Sequence, residues 1–444
     1  MYDLILKQAT LVNEGKQVVC DIAITGDTIV KIAPQINGPS KTERNLEGKY
    51  IMPGVIDDQV HFRQPGLEYK ADIASESRAA VAGGVTSFME MPNTKPPAVT
   101  LDELEKKYVT AANVSPSNYS FFLGATNDNV DVIKSVDPKT VCGVKIFMGS
   151  STGNMLVDNE KALELIFRHS PMLIATHCED EETIAQNMQY YQSKFGESLT
   201  ALDHPRIRSR EGCWLSSVKA MELARNEDAR LHILHISTAD ETALFRNDVP
   251  LVEKKITSEV CVHHLTFESK DYETLGNQIK CNPAIKYDFD REALWTALAD
   301  DRLDIIATDH APHTWEEKSQ HYLKAPSGVP LIQHTLTLMM EHMLDGRISI
   351  ERVVEKMCHA PAQCFDISLR GYVREGYKAD LVVVDLNREW TVEKSNLFYK
   401  CGWSPLEGNT MRTKILSTYV NGQEVYDGNG VKSILAGQRL AFDR

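Results

Sequence analysis

Eight apolar runs of strand length recur between residues 50 and 310, each followed by a polar or helix-like stretch. They read YIMPGVID, GVTSFMEM, NYSFFLGA, VCGVKIFMG, PMLIATH, RLHILHIS, KITSEVCVHH and LDIIATDH. Strands alternating with helical patterns are the signature of βαβ units. Between two of the runs lies EGCWLSSVKAMELARNE, where Trp214, Val218, Met221 and Leu223 recur at helical spacing. About eight such units over roughly 300 residues is what a (β/α)8 barrel needs. A doubly wound open sheet has the same periodicity. The absence of a GxGxxG or P-loop motif weakens its nucleotide-binding form.

The two ends differ from the middle and resemble each other. Residues 1 to 50 give short alternating runs such as DLILKQATLV and DIAITGDTIVKIA, and residues 379 to 426 do the same in ADLVVVDL and TYVNGQEVYDG. Asn421-Gly422 and Asp427-Gly428 are hairpin turn dipeptides. The pattern predicts one small β-domain assembled from both termini, residues 1–50 and 371–444, flanking a barrel over 51–370. A chain of 444 residues is long enough for that pairing of a large and a small unit.

Charge and composition narrow the function. A formal charge of −14 argues against a nucleic-acid partner, which requires a concentrated basic face. No run is as long as a membrane span, and the first residues lack the basic start and cleavage site of a signal peptide. The nine cysteines are scattered without a C-x-x-C pair, which suits reduced thiols in a cytoplasmic protein.

Metal-ligand residue types stand at the ends of the runs: His61, Lys145, His177, His235 and Asp309. A barrel gathers its C-terminal strand ends around one mouth, so these distant residues are expected to meet there. Lys145 is cationic and cannot itself ligate a metal. As the carbamate formed with carbon dioxide it becomes an anion with two oxygens, able to bridge two cations. That reaction first requires the amine to lose its proton, which burial and nearby metal charge favour.

The segments IMPGVIDDQVHFRQPG, EMPNT, GVKIFMGSSTG, ATHCEDE, LHISTADE, NPAIK, ATDHAPH and GYKADLVVVD are spread over nearly the whole chain. Together they resemble the dihydroorotases, in the cyclic-amide branch of the amidohydrolase superfamily. The resemblance implies a (β/α)8 barrel with a β-sandwich from both termini and a zinc centre, one or two Zn2+ per subunit, at the barrel mouth. His61 and Asp309 are similar to the ligands of the more exposed metal, His177 and His235 to those of the more buried one, and Lys145 to the carboxylated bridge. Asp309 is also similar to the family's catalytic base and acid. The implied reaction is the reversible cyclisation of N-carbamoyl-L-aspartate to dihydroorotate, a small-molecule step of pyrimidine biosynthesis. A homodimer and an association with aspartate transcarbamoylase are implied on the same ground.

Dihydroorotate differs from the substrates of hydantoinases, dihydropyrimidinases and allantoinases in carrying a free carboxylate. Arg63 can grip such a group bidentately, where Lys cannot. Asn93, Asn282 and His313 are similar to the family's other substrate contacts. Alternatives for these residues are an ion pair of Arg63 with Glu68 or Asp72 and a turn role for Asn93. Lys286 in NPAIK stands where the family usually has arginine. The polar segment 314–330 is expected to be a flap over the site or a surface connection.

One position breaks the pattern. The family's H-x-H pair would place histidine at residue 59, and this chain has Gln59. An amide oxygen is a weak zinc ligand compared with imidazole. Three readings follow: a loosely held exposed metal, assisted by Gln59, Asp57 or Asp58; catalysis with one zinc; or an inactive subunit that supports another enzyme.

Overall fold

The computed structural model describes residues 1–148 and 155–444, so the 149–153 end of the GVKIFMGSSTG segment lies outside the described residues. Each of the eight apolar runs contains a barrel strand. In chain order these are Val55–Val60, Val85–Glu90, Asn118–Phe121 continued by Leu123–Gly124, Val144–Phe147, Ile174–His177, Leu231–Ile233, Ile256–Cys261 and Ile305–Ala307. Neighbours pair in parallel all the way along. The His61 backbone N–H donates to the His310 carbonyl at 2.7 Å, and Val60 bridges His310, which closes the last strand onto the first. The sheet is therefore a closed barrel.

Closure explains why the runs read as continuously apolar. Seven of the eight strands are buried at every position, because helices cover the outer face and side chains fill the inside. The helices begin where short polar side chains cap them. Asp72 accepts from Ser75 N–H at 2.7 Å ahead of Ile73–Ala82, Asp180 from Thr183 N–H at 2.9 Å ahead of Glu181–Phe195, and Ser209 from Gly212 N–H at 3.2 Å ahead of Arg210–Asn226.

The helix Arg210–Asn226 forms where the periodicity places it, but with a different face inward. Gly212, Cys213, Ser216, Ser217, Ala220 and Ala224 are buried together with Met221, while Trp214, Val218 and Leu223 are only partly covered. Small side chains let the helix lie close against the barrel, and this contact decides the face over the larger apolar residues.

The termini build one eight-stranded sheet among the described residues. Its order is Gln423–Tyr426, Lys414–Val420, Leu381–Asp385, Tyr50–Pro53, Tyr2–Asn13, Lys16–Thr25 and Thr28–Ala33, with Ser40–Asn45 also on Tyr2–Asn13. Tyr2–Asn13 carries a bulge at Gln8 (φ 57°), so its first half pairs with Ser40–Asn45 and its second half with Tyr50–Pro53. Asn421-Gly422 makes the tight turn between the last two strands, both residues at positive φ, as a primed hairpin turn requires. The final residues return to the barrel, where Leu440 and Phe442 pack with Ile56, Leu173 and Phe365. No helix among the described residues is long and apolar enough to cross a membrane.

Candidate active site

The strand ends meet in one cavity of about 100 Å³, lined by Gln59, His61, Arg63, Asn93, Lys145, His177, His235, Asn282 and Asp309, with Ser327 and Gly328 on one wall. Eight of the nine residues singled out in the sequence thus face the same space. The ninth, His313, stands behind Arg63. Three of the nine hold left-handed backbone: Arg63 (φ 70°), His235 (φ 41°) and Asp309 (φ 46°). Such strain in non-glycine residues persists only where the surroundings impose it, and it collects at functional sites.

The imidazoles form two facing arrangements. His177 Nε2 lies 3.0 Å from Glu179 Oε2, and its Nδ1 lies 3.0 Å from His235 Nε2. The carboxylate fixes the proton on Nε2, which leaves the Nδ1 lone pair aimed at the second ring. His61 repeats the device. Its Nδ1 lies 2.8 Å from Asn93 Oδ1, and its Nε2 faces Asp309 Oδ1 at 3.0 Å. Burial keeps both His61 and His235 neutral, pushing His61 below its usual value and His235 well below, where His177 adds to the effect. Burial would raise Asp309, but its contact with His61 holds the carboxyl below the usual range.

Lone pairs and a carboxylate converging in a buried space are a donor set for a divalent cation. The orienting groups on the far nitrogens are the usual second layer of such a site. The residues present therefore fit a metal. Lys145 adds an amine with no hydrogen bond or ion pair among the described residues, its Nζ 4.7 Å from the centre of the Phe147 ring. Burial pushes that amine down to about 7, against the pull of Asp309 and Glu259.

Gln59 occupies the position of the missing histidine and faces the cavity. Its amide donates to Asp309 Oδ1 at 3.2 Å. The two neighbouring carboxylates do not join it. Asp57 accepts from Thr308 Oγ1 at 2.6 Å, with burial pushing it up to about 8, and Asp58 is turned toward His232. Neither lines the cavity: the Thr308 hydroxyl holds Asp57 away from it, and strand alternation sends Asp58 to the opposite face from Gln59.

Arg63 is buried and forms no ion pair among the described residues, so the alternatives with Glu68 and Asp72 do not occur. Its Nε donates to the Pro312 carbonyl at 3.1 Å and its Nη2 lies 3.0 Å from His313 Nε2. Lys70 Nζ stands 3.0 Å from His313 Nδ1 and 2.9 Å from Glu317. Asn93 binds His61 directly, a more specific role than that of a turn residue. Asn282 Oδ1 lies 3.2 Å from His204 Nε2. Lys286 is buried and donates to the Ala284 carbonyl.

Segment 314–330 forms one wall of the cavity. Lys318 anchors it, its buried ammonium donating to the carbonyls of Lys280, Pro326 and Gly328 at 2.9–3.0 Å. Glu179 is the residue that sequence reasoning missed. Burial opposes its ionisation, yet Arg208 and His177 hold its carboxyl far below the usual range. The available signal was its place two residues past His177, immediately before a helix cap.

Residues 50–425 match the model of the amidohydrolase family. The chain belongs to that family. It is 32% identical to the dihydroorotase of Halobacterium salinarum over 94% of this chain and 95% of that one. The dihydroorotase of Pyrococcus horikoshii is 31% identical over 94% of this chain and 91% of its own length. Among solved structures, the amidohydrolase resembles the L-hydantoinase (dihydropyrimidinase) of Arthrobacter aurescens, with a TM-score of 0.92 and 26% identity, covering 99% of this chain and 100% of that one. A D-hydantoinase from Thermus sp. shares the fold, with a TM-score of 0.87 at 21% identity over 98% of each chain.

Proposed function

We propose that this amidohydrolase is a dihydroorotase, a metal-dependent cyclic amide hydrolase. It would open the ring amide of (S)-dihydroorotate with water and, in reverse, close N-carbamoyl-L-aspartate with loss of water. The observation that carries the reading is Arg63, a buried guanidinium without a carboxylate partner among the described residues, lining the same cavity as the two imidazole arrangements. A buried unpaired cation is costly unless an anion comes to it. The free carboxylate of dihydroorotate is such an anion, and the neutral rings of hydantoin and dihydrouracil lack it.

In this reading His177 and His235 would hold one Zn2+, and His61 and Asp309 would hold an outer one. Gln59 leaves the outer ion with one strong donor fewer, which favours looser binding there or catalysis with the other ion alone. Lys145 would supply an anionic ligand to the site once its neutral amine had added to carbon dioxide, forming an N–C bond and releasing one proton. When bound, the metal polarises the ring carbonyl and lowers the pKa of nearby water. Arg63, with Asn282 and Asn93 around the cavity, orients the ring so that its carbonyl meets the donor set. Asp309 takes the proton of the attacking water and passes it to the ring nitrogen as the C–N bond breaks.

The test is hydrolysis of dihydroorotate, dihydrouracil, hydantoin and allantoin by the zinc-loaded protein, with bound metal counted in parallel. Activity confined to dihydroorotate is the expected result, and Asp309→Asn should lower it by about 10³-fold or more. Preference for hydantoin or dihydrouracil would move the chain to the hydantoinase branch. No activity with any ring would leave the reading of an inactive subunit.

A further inference from the structure

A second group of ligand-type side chains lies inside the barrel, on the first, sixth and seventh strands. Asp58, His232 and Glu259 have no exposed surface. His232 Nδ1 lies 2.8 Å from Thr257 Oγ1, and that hydroxyl donates its own hydrogen to the Leu231 carbonyl at 3.3 Å. The threonine oxygen therefore accepts from His232 Nδ1–H. Burial would lower the ring, yet Cys364, Asp58 and Glu259 around it hold it well above its usual value, which puts a proton on Nε2 as well. That nitrogen sits between Asp58 Oδ2 and Glu259 Oε2, 3.4 Å from each. Neither oxygen of Asp58 makes a hydrogen bond.

This arrangement is unfavourable as it stands. Two buried carboxylates share one ring N–H at 3.4 Å, and burying acids against so long a contact, with neither Asp58 oxygen hydrogen-bonded, is expensive. A cation at their centre removes the conflict. The spacing suits one as well: ligand bonds of roughly 2.0–2.1 Å in a tetrahedron place neighbouring donor atoms roughly 3.3–3.4 Å apart. Thr257 fixes the imidazole from behind, as the outer partners of metal-bound histidines do.

We propose that Asp58, His232 and Glu259 form an interior binding site for a divalent cation of the zinc type, separate from the donor set at the barrel mouth. The site is joined to the mouth through Glu259, whose Oε1 accepts the His235 backbone N–H at 3.0 Å. An interior ion would thus brace the strained backbone of one mouth histidine.

The experiment uses the full chain loaded with zinc. Crystals measured at the zinc absorption edge should show an anomalous peak within bonding distance of His232 Nε2, Asp58 and Glu259. That peak should persist in His177→Ala, where the mouth has lost a ligand, so failure at the mouth is distinguishable from failure of the interior site. Elemental analysis should find one zinc fewer per chain in Asp58→Asn than in the unaltered protein. Zinc-saturated crystals of the unaltered protein without the interior peak would overturn the proposal and leave a shared proton among the three groups. That measurement needs no variant, so poor folding of Asp58→Asn leaves the question decidable.

Discussion

At the scale of single residues, the site is organised by what holds each functional side chain from behind. His177 is aimed by Glu179, His61 by Asn93, and Arg63 is fixed through the Pro312 carbonyl and His313. Removing the charge at Glu179 while keeping its shape should loosen the His177 tautomer. Glu179→Gln is expected to weaken zinc affinity by about 10- to 100-fold, measured by competition with a chromogenic chelator. At Arg63 the planar fork matters more than the charge. On the proposed dihydroorotase reading, Arg63→Lys should lower kcat/KM for dihydroorotate by about 100-fold while leaving bound metal unchanged, and equal activity of the two proteins would mean that a substrate carboxylate is held elsewhere. Arg63 was legible in the sequence as a candidate because an arginine two residues past His61 is conspicuous. Glu179 was not, since an acidic residue before a helix has an ordinary role as part of a helix start.

At the scale of elements, the barrel strands were legible and the detailed faces were not. All eight apolar runs contain strands, because length and punctuation by polar stretches suffice to mark them. The helix Arg210–Asn226 shows the limit: its position followed from periodicity, but its inward face is set by small residues that a hydrophobic pattern overlooks. Segment 314–330 is similar. Its polarity suggested a flap or a connection; in the structure it lines the cavity, tied down by the Lys318 ammonium, which donates to the Lys280, Pro326 and Gly328 carbonyls, contacts that no local pattern shows. Gly328 is the tight point of this wall. Its φ is +144°, and an added Cβ would fall 2.3 Å from the Ala311 carbonyl oxygen and 2.9 Å from the His313 ring. Gly328→Ala should therefore displace the wall, lowering activity by about 10-fold or more and the thermal midpoint by several degrees, as strained substitutions at such positions do. Thermal scanning and steady-state kinetics on the one variant check both effects.

At the scale of the whole molecule, the buried His334 and the half-buried His342 are neutral rings away from the mouth, and they couple stability to pH. Burial, with His310 nearby, pushes His334 down to about 3, and burial pushes His342 down to about 4. Unfolded, each titrates near 6.5. Below 6.5 the unfolded chain binds protons that the folded chain refuses, so stability present above that pH is lost as pH falls toward 4. For His334 the loss is about 2 kcal/mol by pH 5. The thermal midpoint should drop between pH 7 and 5, with a shallower slope in His334→Phe; an identical slope would assign the acid sensitivity to other groups. The sequence by itself determined the alternation of strands and helices, the β-rich ends and the candidate residues at strand ends, because each is written in local periodicity and residue type. Only the tertiary structure decided that Asp57 and Asp58 turn away from Gln59, that Arg63 is buried without a carboxylate, and that Asp58 meets His232 and Glu259 inside the barrel. Those outcomes depend on which side chains from remote strands share a space, and barrel closure, not local sequence, sets that.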